Sequence, residues 1–178
     1  MPDLDAGLAG DRAAVAALLK AADGARTVWT VPRAPGKWSP SQVVEHVARI
    51  MDESAKVASG APSKFPTVPA LLRPIARILF FNRTLRKNAF ANMKTIEPLD
   101  PASGPATPAE ARVRLEAALS RFDHACRARA AGGQEVNSTI FGRVSVARFA
   151  RFQELHIRHH LRQIPGAAQI PMAGQRED

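Results

Sequence analysis

FQELHIRHHLRQI, residues 152–164, holds three of the chain's five histidines within five positions of a segment rich in Phe, Leu and Ile. At about 100° per residue, with His156 at zero, Phe149, Phe152, His160 and Gln163 all fall within about 40° of it. Arg151, Glu154 and Arg158 fall on the far side. The pattern predicts an amphipathic helix over about 146–164, capped by Ser145 and stopped by Pro165, with Arg151, Glu154 and Arg158 away from its inward stripe. His156 and His160 then lie in the middle of that stripe.

An inward pair spaced i, i+4 has two readings. Each ring is a core histidine satisfied by a local hydrogen bond, or both hold one metal ion a turn apart. Two unpartnered imidazoles in apolar surroundings are costly, and a metal satisfies both at once. The spacing alone leaves the choice open, so a third ligand matters. His46 is the candidate, at the edge of the inward run Val43, Val47, Ile50 and Val57. Three neutral imidazoles suit Zn, Ni or Fe(II) and leave a position for water, a thiolate or substrate.

His46 belongs to the best-signposted helix of the chain. In WSPSQVVEH, residues 38–46, Ser39 is an N-cap, Pro40 suits the first helical position, and Gln42 completes a capping box. That helix is expected over about 40–58. Others are expected at about 11–23 with Asp11 as N-cap, at about 69–95 with Pro74 near its start or kinking it, and from Thr107 and Pro108 to Gly132–Gly133. No strand signal stands out. The array predicts an all-α bundle of four main helices plus a basic insertion helix between the second and third, one domain over 1–165 with a tail at 166–178.

Glu53, on the His46 face two turns later, is a candidate base or ligand-orienting group, and Gln163 a hydrogen-bond partner for a ligand or substrate. His159, off the stripe, is expected to be supportive, and His124 and Cys126 carry no partner motif. The single cysteine excludes an internal disulfide framework and fits a reducing cytoplasm. The N-terminal stretch MPDLDAGLAGD lacks the features of a signal peptide. The most apolar window is interrupted by Arg73 and Arg77, so no membrane span is expected.

The net charge of +9 is local. No acidic residue falls between Glu53 and Glu97, whereas Lys56, Lys64, Arg73, Arg77, Arg83, Arg86, Lys87 and Lys94 do. Such a field suits an anionic small molecule, a membrane surface or nucleic acid, or it is merely a solvated face. Nucleic acid is disfavoured because the stretch has no recognition motif and its Phe residues suit a core. Arg73 and Arg77 are candidates to hold carboxylates of a thiol cofactor or acidic substrate.

WSPSQVVEH followed about 110 residues later by HIRHHLRQI resembles the DinB/YfiT-like superfamily, with helix order and capping agreeing over roughly 10–165. The resemblance implies a DinB-like four-helix bundle, a divalent metal (Zn, Ni or Fe) on the positions matched by His46, His156 and His160, and a homodimer. It further implies a metal-dependent transferase or isomerase using a low-molecular-weight thiol, or a metal-dependent hydrolase. In the branch this chain looks closest to, His-Pro often precedes the Phe-Gly loop; here Ser138 and Thr139 precede Ile140, Phe141 and Gly142. The competing expectation is a non-catalytic metal-binding or stress-response module on the same bundle.

Overall fold

A computed structural model describes residues 3–91 and 95–167. Helix α1 spans Leu4–Gly24 and is capped by Asp3, so it starts well before the expected residue 11. Gly7 and Gly10 weaken the local helix signal of LDAGLAGD, yet they are where α1 meets the last helix. A Cβ on Gly7 would lie 3.2 Å from the Ala150 Cβ, and one on Gly10 would collide with the Glu154 carboxylate. Asp11 is therefore a buried mid-helix residue and not a cap.

Helix α2, Pro40–Ser59, follows its signposts. Ser39 Oγ accepts from the Gln42 N–H, the Gln42 side chain accepts from the Ser39 N–H, and Gly60 ends the helix at φ 82°. Helix α3, residues 73–87, follows a 3-10 turn at Ala70–Leu72 and ends at Asn88 in the left-handed region, short of the expected residue 95. Pro74 starts α3 and does not kink it. Its middle, Arg77–Asn82, is a π turn. The extra residue in that turn lets the adjacent Phe80 and Phe81 both face inward. Lys94 lies outside the described residues.

Helix α4, Pro108–Ala131, is capped by Thr107 Oγ1, and Glu110 returns a bond to the Ala106 N–H. The following loop contains a feature the sequence does not signal, an antiparallel hairpin of Val136–Ser138 with Gly142–Val144. Each strand has three residues, too few to display alternation. Helix α5 spans Val146–Leu161 with Ser145 as its cap.

The four long helices form the bundle: α2 packs on α4, and α1 lies on both α5 and α4. Leu8, Leu18, Val47, Met51, Leu115, Phe122 and Ile157 are fully buried between them. The hairpin packs on α2 and the end of α3 packs on α5. Burial continues through Ile164 and Ala167, past the expected domain end at 165; the rest of the predicted tail lies outside the described residues. The far side of α5 holds a further difference. Glu154 is buried where α1 crosses it, paired with Arg151 and, at 2.8 Å, with Arg158.

Candidate metal centre

His46 projects from α2, and His156 and His160 from α5; all three are buried. One ring nitrogen of each lies within 4.8 Å of the others, and the Nε2 atoms of His156 and His160 are 3.0 Å apart. Two nitrogens at about 2.0–2.1 Å from one tetrahedral ion are about 3.3 Å apart, so the pair fits a shared ion.

The far nitrogens support the same assignment. His46 Nδ1–H donates to the Leu99 carbonyl at 2.9 Å, and His160 Nδ1–H donates to Gln163 Oε1 at 3.2 Å. Each ring therefore turns a bare Nε2 lone pair inward, the form in which imidazole ligates. His156 Nδ1 is buried without a partner, and so is Gln153 Oε1 one turn earlier on α5. A ligating His156 carries its proton on Nδ1, so the two orphans are a donor and an acceptor. Burial holds the pKa of His46 below its usual value and those of His156 and His160 well below it, with the neighbouring imidazoles adding to the last two. The rings are neutral at physiological pH.

Residues 10–166 match the family described as "Protein of unknown function (DUF1569)". The chain belongs to the DUF1569 family. No curated protein and no solved structure matches it.

Two further parts of this DUF1569 chain, the segment 96–105 and Trp38, pack around the three rings. The segment 96–105 lies across α2 as a strap. Besides the Leu99 carbonyl, it offers Pro101 O to Gln42 Nε2, Pro105 O to Ser41 Oγ at 2.7 Å, and Asp100 Oδ1 to Trp38 Nε1 at 3.1 Å. Trp38, fixed in this way, covers His46 at 4.6 Å between centroids and lies nearly parallel to His160 at 5.9 Å. The only local hint of the arrangement is a tryptophan immediately before the capping box.

The three rings open into a cavity of about 590 Å³. Phe80, Phe90, Phe141 and Phe152 form its apolar wall, and Phe90 meets the His156 ring edge-on at 5.0 Å. Arg33 and Lys37, both exposed, stand at its rim. Among the described residues no Asp or Glu lines it.

The other sequence candidates are distributed as follows. Gln163 lines the cavity and also donates through Nε2 to His159 Nε2, so it links His160 to His159, which bonds the Phe90 carbonyl. Glu53 does not line the cavity. It is buried, accepts from Lys56 Nζ at 2.7 Å and from the Lys64 N–H at 2.6 Å, and so ties α2 to the loop that follows. Arg73 and Arg77 also lie outside the cavity wall, donating to the carbonyls of Val68 and Arg143. The cations that do line the cavity are Arg33 and Lys37. Ser138 lines the cavity, but its Oγ accepts from the Ile140 and Phe141 N–H groups and shapes the hairpin turn. Cys126 is buried, and burial raises its thiol pKa, which leaves it a packing residue.

Proposed function

We propose that this DUF1569 chain is a DinB-like, metal-dependent enzyme that transfers a small thiol to an acceptor. In this reading His46, His156 and His160 hold one divalent ion, Zn, Ni or Fe, whose bound form supplies the acidity that deprotonates a thiol or water. The observation that carries the proposal is the donor set itself: three buried rings whose nitrogens converge within 4.8 Å. Two of them, His46 and His160, turn a lone pair inward because an outer acceptor takes the proton of the other nitrogen.

Two features of the wall favour thiol transfer over hydrolysis. The cavity presents no carboxylate base among the described residues, and His159 is already engaged with Phe90 and Gln163. A thiol, with an ordinary pKa of about 8.5, needs less help to ionise than water does. Arg33 and Lys37 then attract an anionic group of thiol or acceptor at the mouth, while the Phe wall takes an apolar body and excludes water. Trp38 shields the His46 and His160 rings and limits their motion. The reading includes a cytoplasmic homodimer on the resemblance alone; among the described residues no helix is long and apolar enough to cross a membrane.

The test is consumption of low-molecular-weight thiols against a panel of electrophiles, with chelated and metal-reconstituted protein. Thiol-dependent turnover that returns with metal and is absent in His156→Ala supports the transferase. Metal-dependent turnover without thiol points to a hydrolase. Tight metal binding with no turnover of either kind leaves a binding module.

A further inference from the structure

The turn at 70–72 and helix α3 are apolar on two sides. Ala76, Phe80, Phe81 and Leu85 face the core or the cavity. The other side shows solvent Leu71 at 90% exposure, Leu79 at 65%, Ile78 at 60%, Ile75 at 52% and Leu72 at 50%. An apolar row on a helix is ordinarily covered, and among the described residues nothing covers this outer one.

The surrounding charge selects the partner. Lys64, Arg83, Arg86 and Lys87 are exposed and make no ion pair among the described residues. Among the described residues Arg73 and Arg77 donate to backbone carbonyls, and residues 54–96 contain no acidic side chain. A second copy docking symmetrically on this row would bring two such cationic sets together. A single-stranded nucleic acid is bound through exposed aromatic rings, but Phe65, Phe80 and Phe90 line the cavity and Phe81 is buried in the core. An anionic bilayer supplies both missing complements, acyl chains for the Leu and Ile row and acidic headgroups for the cations.

We propose that residues 71–87 dock this protein onto anionic lipid surfaces, lying in the interface without crossing it. The docking face and the Phe80 wall of the cavity are opposite sides of one helix. The proposal stands independently of the metal reading.

The experiment is co-sedimentation of the full chain with vesicles of phosphatidylcholine, alone or mixed with phosphatidylglycerol, at low and raised salt. Binding is expected only to the mixed vesicles, weakening with salt, and by about fivefold in each of Arg86→Gln and Lys87→Gln. The double variant Ile78→Glu/Leu79→Glu should fall to the level of neutral vesicles with an unchanged Tm, since both side chains are more than half exposed. Leu71→Gln, at 90% exposure, gives a weaker loss and serves if the double variant fails to fold. The proposal is overturned by no sedimentation with mixed vesicles, by binding untouched by both apolar substitutions, or by a wild-type dimer that the double variant dissociates. Tighter binding to duplex DNA than to mixed vesicles would overturn it in favour of nucleic acid.

Discussion

Helix α5 buries polar side chains on two opposite faces, and the faces solve the problem differently. Toward α2, His156 and His160 are neutral, point at a common centre with His46, and open onto a cavity. Toward α1, Glu154 is held between Arg151 and Arg158 and packed against the backbone at Gly10 with no space left over. Beside it Asp11 is buried with neither carboxylate oxygen partnered. Burial alone therefore does not mark function. The distinguishing features are convergence of lone pairs, outer acceptors that orient them, and room for a reactant.

Removing one ring should separate the faces most strongly. His46→Ala or His156→Ala is expected to lower metal affinity by more than the about 10–100-fold typical of losing an outer partner, with the helical circular dichroism preserved. Gln163→Ala tests that outer partner and should cost about 10–100-fold in affinity, measured by competition with a chromophoric chelator. A metal affinity unchanged in Gln163→Ala would show that the His160–Gln163 bond plays no part in the centre.

Gly10→Ala perturbs only the acidic face. The added methyl displaces the Glu154 carboxylate from its two arginines, so a loss of about 1–3 kcal/mol in denaturant unfolding is expected, with metal affinity unaffected. Asp11→Asn should act in the other direction. Burial, then Glu154 and then Asp123, raise the Asp11 carboxyl well above the usual carboxylate range. A group whose pKa is raised by folding adds stability below its unfolded value, about pH 4, and that stability is lost as pH rises. At neutral pH the amide should thus raise Tm by about 2–4 °C, or about 1 kcal/mol, and the gain should vanish near pH 4. A gain that is constant with pH would show that Asp11 is not held neutral by the fold.

The same contrast explains what the sequence reveals. Capping is local, so α2 and α4 begin at the positions that Ser39 and Thr107 indicate. The inward direction of His156 and His160 follows from helical geometry. Burial of Glu154 does not, because it depends on α1 crossing at Gly7 and Gly10, residues that themselves disguise the start of α1. The Leu99 carbonyl is invisible to any side-chain pattern, since the strap offers its backbone and not a side chain. Arg33 and Lys37 lie in a loop with no periodicity to aim them, whereas Arg73 and Arg77 stand in the densest run of positive charge and turn to backbone carbonyls instead.

The most direct test of the metal centre is the metal content of untagged protein, wild type beside His46→Ala and His156→Ala. The account predicts about one equivalent of Zn, Ni or Fe per chain, lost in both variants, because the ligands come from different helices and act on one ion. Absence of metal after reconstitution, with both variants as stable as wild type, would contradict it and leave the three histidines as ordinary core residues.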